Sequence, residues 1–257
     1  MTALAAIALL AGAAPDVYVL AGQSNMSGRG AVVDLPAQDR DPDPRIRLYG
    51  NDGQWRPALD PLDDASGQVD AVSTDKQAAV GPGLTFARAM LRTRGHSISL
   101  VPCAKGGSSI GRWKPASDRD SLYGSCVARV REAGGRPAGM LWYQGESDAG
   151  KPPIAAQGWT VAFQQMATAF RRDLAAPTLP IVIVQIADKP RTDPDRYANW
   201  AVVQAQQARS PLPCTAVVSA KGLPLNPDDL HLTTQAQRTL GPRLAAAMAR
   251  LIAKGGR

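Results

Sequence analysis

Residues Asp16–Gly28 read Asp-Val-Tyr-Val-Leu-Ala-Gly-Gln-Ser-Asn-Met-Ser-Gly: an apolar run that stops on a glycine and turns polar at once. The run, Asp16–Ala21, has no alternation of apolar and polar residues, so it predicts a strand buried on both faces. Comparable Val/Ile/Leu-rich runs follow at Ile46–Tyr49, Ser97–Cys103, Ala138–Gln144, Pro180–Ala187 and Thr215–Ser219. Between them lie segments with helical periodicity: Leu84–Arg94, Leu122–Ala133, Gln157–Leu174, Arg196–Ala208 and Thr234–Ala253. Alternating buried strands and helices predict an α/β fold, a three-layer α/β/α sandwich around a mainly parallel sheet. Its sites are expected at the carboxyl ends of the strands.

No linker or repeat interrupts the pattern, so residues 15–257 are expected to form one domain. Thr234 and Gln237 have capping-box spacing at the start of the last helix. Gly95 suits a left-handed cap at the end of the Leu84 helix, and Pro242 predicts a kink or restart in the last one. Two long segments, Val33–Asp43 and Pro57–Gln77, are expected as surface loops walling a cleft.

The chain carries 29 Lys and Arg against 22 Asp and Glu, a net charge of +7. These charges are scattered, without a run of the kind that grips phosphates, so the reading is a solvated surface and no nucleic-acid partner. The apolar stretch Ala3–Ala14 is too short for a bilayer core of about 30 Å, so stable membrane insertion is not expected. With Ala11-Gly12-Ala13 it resembles the core and cleavage site of a secretory signal, although a basic leading segment is missing. A secreted or periplasmic protein with a signal peptide over residues 1–14 is expected; the alternative is an apolar amino-terminal tail. Of three cysteines, Cys103 and Cys126 fall at neighbouring strand and helix ends and are the candidate pair. Buried free thiols are the alternative. No spacing suits a metal, and no cofactor is called for.

The chemistry gathers at strand ends. Gly22-Gln23-Ser24 leaves Ser24 on a tight turn, where a serine is otherwise an ordinary helix cap. Met26 replaces the second glycine of a nucleophile elbow, so that signature is absent. The chain has two histidines. His96 has no acidic residue beside it in sequence, whereas His231 lies in Asp228-Asp229-Leu230-His231. A carboxylate three residues before a histidine on a turn can hold Nδ1–H and leave the other nitrogen to deprotonate a serine. Leu141–Asp148 places Gln144 and Glu146 at a further strand end, where Gln144 could donate to an oxyanion. Ala104–Ile110 offers the Gly107 N–H in the same role. Arg112, Trp113 and Tyr123 are candidates for sugar contact or for wall packing.

Together, Gly-Gln-Ser-Asn-Met, Gly-Gly-Ser-Ser-Ile, Trp-Tyr-Gln-Gly-Glu-Ser-Asp and Asp-x-x-His-Leu-Thr resemble the sialate O-acetylesterase-like branch of the SGNH hydrolases. That branch includes the acetylxylan esterases of carbohydrate esterase family six. The resemblance runs from about Asp16 to Thr234. It implies a flavodoxin-like sheet and a cofactor-free serine esterase acting on acetylated carbohydrate. Ser24 would be nucleophile and His231 base, with the Ser24 and Gly107 N–H groups and the Gln144 side chain as oxyanion donors. Asp228 is the first choice of acid, Glu146 the alternative and Asp229 the third. An SGNH hydrolase for lipid or thioester, or a non-catalytic sugar-binding relative, would be the competing functions.

Overall fold

The computed structural model describes residues 15–209 and 212–255; the expected signal segment, residues 1–14, lies outside them. The strands are β1 (Asp16–Gly22), β2 (Ile46–Tyr49), β3 (Trp55–Pro57), β4 (Ile98–Pro102), β5 (Arg136–Tyr143), β6 (Ile181–Gln185) and β7 (Thr215–Ser219). They form one seven-stranded sheet in the order β3-β2-β4-β1-β5-β6-β7. Every pairing is parallel except β2 with β3. The antiparallel β3 was not anticipated. It is three residues long, sits at the sheet edge and is only half-buried, so it carries no apolar run to read.

The helices are α1 (Ser24–Ser27), α2 (Ala37–Arg40), α3 (Gly83–Arg94), α4 (Leu122–Ala133), α5 (Ile154–Asp173), α6 (Trp200–Ala208) and α7 (Thr234–Gly255). Alternate side chains of a strand face opposite layers, and β5 shows both. Gly139 lies against Met248 of α7, while Trp142, three residues on, packs against Phe163 of α5 and edge-on to Trp113. Helices therefore cover both faces of the sheet. Trp113, Trp142 and Phe163 are fully buried; truncating any of them to Ala would cost about 3–5 kcal/mol. Trp113 is thus core, and Tyr123 is buried with its hydroxyl on Asp173 at 2.5 Å. Packing, not sugar contact, explains both.

Several local expectations shift. The side-chain cap of α7 comes from Thr233, whose Oγ1 accepts from the Ala236 N–H at 3.2 Å. Thr234 instead donates to the Ala31 carbonyl. The helix runs through Pro242 as one element. Gly95 caps α3 in the left-handed conformation, as expected. α6 starts at Trp200, because the preceding residues form turns and Asn199 N–H bonds the Ala149 carbonyl. Of the two expected cleft walls, only the second lines the cleft that holds Ser24 and His231; the first borders a separate groove beside α3. Val33–Asp43 is tied to α3 and α7 through Asp39, which pairs with Arg88 and Arg238.

His96 does have an acidic neighbour. Its Nε2 lies 2.8 Å from Asp16 Oδ2, and Arg94 and Arg136 also pair with that buried carboxylate. Asp16 is 80 residues away in sequence and becomes a neighbour only through β1–β4 pairing. The cluster sits at the amino end of β1, so a seven-residue strand, roughly 20 Å, separates it from Ser24.

Cys103 and Cys126 form a disulfide joining the end of β4 to α4; Cys214 is free. Among the described residues no helix is long and apolar enough to cross a membrane, and none gather as a metal site.

Candidate active site

β1 ends at Gly22, whose N–Cα–C turn (φ +134°) presses against the β5 backbone. A Cβ there would meet the Tyr143 carbonyl oxygen at 2.1 Å. Only glycine permits that approach, and it brings the first strand's exit directly beside the fifth's. Gln23 N–H then bonds the Tyr143 carbonyl at 2.8 Å, and the chain enters the single turn α1 at Ser24.

Ser24 Oγ lies 2.8 Å from His231 Nε2, and His231 Nδ1 lies 2.6 Å from Asp228 Oδ2. With Nδ1–H donating to the carboxylate, Nε2 is the nitrogen that accepts the serine hydroxyl. Asp228 Oδ1 also accepts the backbone N–H groups of Leu230 and His231, both at 3.0 Å. Burial pushes the Asp228 carboxyl up, but the His231 backbone, the imidazole and the Leu230 N–H outweigh it. The carboxyl is held below its ordinary value.

The two other acids expected as candidates lie elsewhere. Asp229 accepts from the Arg191 N–H and pairs with that guanidinium. Glu146 is 5% exposed and accepts from Asn25 Nδ2 at 2.8 Å; it makes no bond to His231. Burial raises its carboxyl to about 7.

Ser24 and His231 open on a cleft of about 1030 Å³, also lined by Gln23, Gly107, Glu146 and Tyr197 and by Thr74–Gln77 of the second long loop. Gly107, in the left-handed region at φ +71°, reaches the cleft. Its loop is anchored from below, because Asp75 accepts from Ser27 Oγ, Arg29 and the Gly106 N–H.

Gln144 departs from expectation. It is fully buried and does not line the cleft. Its Nε2 donates to Asp148 Oδ2, to the Ser108 carbonyl at 3.1 Å and to Gln23 Oε1 at 3.3 Å. Its Oε1 accepts the Trp159 indole N–H at 2.9 Å. The residue that reaches the cleft is Gln23. Its Oε1 is pinned by Gln144 and by the Gly145 and Ser147 N–H groups at 3.3 and 3.2 Å. Its Nε2 has no acceptor among the described residues. Adjacency to Ser24 was the available signal for Gln23, but the direction of two glutamine side chains at facing strand ends is set by packing.

A family model described as carbohydrate esterase, sialic acid-specific acetylesterase matches residues 14–250. The chain belongs to this family. This acetylesterase, a carboxylic ester hydrolase, is 36% identical over 252 residues to a probable carbohydrate esterase of Arabidopsis thaliana. The match covers 90% of this chain and 89% of that protein. A crystal structure of the Arabidopsis protein superposes with a TM-score of 0.80 at 33% identity, covering 92% of this chain and 98% of that one. A carbohydrate acetylesterase from Xanthomonas citri superposes with a TM-score of 0.70 at 26% identity, covering 93% of this chain and 56% of that one. A probable 9-O-acetyl-N-acetylneuraminic acid deacetylase of Escherichia coli is 29% identical over 203 residues, 62% of each chain.

Proposed function

We propose that the chain hydrolyses O-acetyl esters of a carboxylate-bearing sugar through a Ser24 acyl-enzyme. The observation that carries the mechanism is the unbroken contact from Asp228 through His231 to Ser24 at the cleft floor. His231 Nε2 takes the Ser24 proton as Oγ bonds the acetyl carbon. The Ser24 and Gly107 N–H groups and the Gln23 side chain receive the oxyanion. Collapse breaks the ester C–O bond, and the sugar alcohol leaves with the proton from His231. Water, deprotonated by His231, then attacks the acetyl-Ser24. Acetate leaves and Ser24 Oγ regains its proton. Asp228 holds the tautomer and balances the imidazolium charge without itself taking the proton.

Three cations support an anionic sugar over neutral xylan. Lys76, Lys105 and Arg196 line the cleft, and none is paired with a carboxylate among the described residues. The acetylated neuraminic acid for which the Escherichia coli relative is named has the same chemistry. The Cys103–Cys126 disulfide supports an exported, secreted or periplasmic protein, since such bonds persist in oxidising compartments.

Acetate release from O-acetylated sialic acid, acetylated xylan, p-nitrophenyl acetate and a long-chain ester tests the reading. Faster turnover of the sialate, lost in Ser24→Ala, is expected. Preference for xylan overturns the anionic substrate, and full activity in Ser24→Ala overturns the mechanism. Sugar binding with no acetate release identifies a non-catalytic relative instead.

A further inference from the structure

Asn25 follows Ser24 directly, and its side-chain amide brackets His231. Asn25 Oδ1 accepts the Leu232 N–H at 3.0 Å, and Nδ2 donates to the Leu230 carbonyl at 3.3 Å. These are the peptide groups on either side of the histidine. The same Nδ2 donates to Glu146 Oε1 at 2.8 Å, from the loop after β5. Asn25 is 1% exposed, so its amide has no water as a substitute partner. The Asn25 carbonyl in turn accepts from Gln237 Nε2 of α7 at 3.0 Å.

We propose that Asn25 and Glu146 are positioning residues for the esterase reaction: Glu146 orients the Asn25 amide, and that amide sets the approach of His231 to Ser24. The proposal rests on the Ser24–His231 mechanism above.

An amide has a donor end and an acceptor end, and only one orientation fits this site. Turned over, Nδ2 would face the Leu232 N–H, donor against donor. Oδ1 would face both the Leu230 carbonyl and the Glu146 carboxyl, acceptor against acceptors. The Leu230 contact is long, so the orientation is selected by the Leu232 N–H at one end of the amide and by the shorter bond to Glu146 at the other. Because Asn25 is covalently next to the nucleophile and Leu230 and Leu232 next to the base, a single planar group spans the two catalytic loops. Glu146 fixes that group from a third loop without touching His231, which separates its role from that of Asp228.

The test compares Asn25→Ala, Glu146→Ala, Glu146→Gln and Ser24→Ala in the full chain. Steady-state kinetics are normalised to folded protein, and amide hydrogen exchange is followed at Leu232. Misplacement of a catalytic group by about 1 Å costs about 100-fold in rate. Both Asn25→Ala and Glu146→Ala should therefore lose between 10- and 100-fold in kcat, as order-of-magnitude bounds, with KM little changed. Exchange at Leu232 should quicken in both, while exchange at Val19 and Leu141 in the central strands stays slow. Glu146→Gln keeps a carbonyl oxygen for Asn25 and should restore most of kcat, an outcome that a triad acid would not allow.

Unchanged Leu232 protection in Glu146→Ala, or wild-type kcat in either alanine variant, overturns the proposal. Should Glu146→Ala fail to fold, Glu146→Met fills the same space and carries the same expectation. Ser24→Ala should stop turnover and leave Leu232 protected. If it still turns over, the serine mechanism fails, while the exchange result still decides the role of Glu146.

Discussion

Asp228 grips His231 at two points, the imidazole Nδ1 at 2.6 Å through Oδ2 and the backbone N–H at 3.0 Å through Oδ1. One carboxylate thus sets both the ring tautomer and the turn that presents it. Asp228→Asn keeps the shape but offers its amide N–H where the Nδ1 proton now sits. A fall in kcat/KM of roughly 100- to 10,000-fold on p-nitrophenyl acetate is expected. Asp229→Asn should stay near wild type, since its carboxylate serves Arg191.

The exchange of roles between two glutamines has a kinetic signature. Gln23→Ala removes a side-chain donor from the cleft, and kcat should drop about 100- to 1000-fold with KM little affected. Gln144→Leu leaves the Trp159 indole without its acceptor and takes one donor each from Asp148 and Gln23, which keep the Ile110, Gly145 and Ser147 N–H groups. It should therefore lower the melting temperature as well as kcat, which calorimetry beside kinetics would resolve.

Asp63 makes stability fall with rising pH. It is 3% exposed, and burial raises its carboxyl to about 7 against the Asn51 hydrogen bond and the Arg129 charge. Its folded pKa is above the unfolded value of 3.8, so the folded state holds the proton longer. The stabilising contribution is full below the unfolded value, declines as pH rises toward 7 and is absent above it. Asp63→Asn retains an acceptor for the Asn51 amide and cannot ionise. Its melting temperature relative to wild type should rise from pH 4 to 7 and then level off. A constant difference across that range would exclude this origin.

Reducing the Cys103–Cys126 disulfide, which closes a separation of 23 residues, should cost about 3 kcal/mol on chain-entropy grounds. Cys103 precedes the loop that presents Gly107. Cys103→Ser with Cys126→Ser is therefore expected to melt earlier and to turn over more slowly even when folded. Thermal scans and kinetics with and without reductant would check both effects.

Much of this was legible because the physics was local. Strands such as Ile181–Gln185 are buried along nearly their whole length, so a continuous apolar run reveals them, and Asp228 and His231 share one turn. What escaped depends on neighbours distant in sequence. Asp16 meets His96 only through strand pairing. Asp39 draws a loop away from the cleft through two arginines from different helices. The choice of Gln23 over Gln144 as the cleft-facing amide turns on which of two adjacent strand exits is the deeper. Glu146 read as a possible acid because its position beside the site was visible, while its partner Asn25, 121 residues away, was not.

Ser24 and His231 are 207 residues apart, with six of the seven strands, β2 to β7, laid down between them. During synthesis the serine emerges early and its base near the end. On the proposed mechanism a nascent or truncated chain lacking the last turn holds a serine of ordinary reactivity. Esterase activity then arises only when the sheet has closed and α7 has docked, so turnover itself becomes a reporter of completed folding.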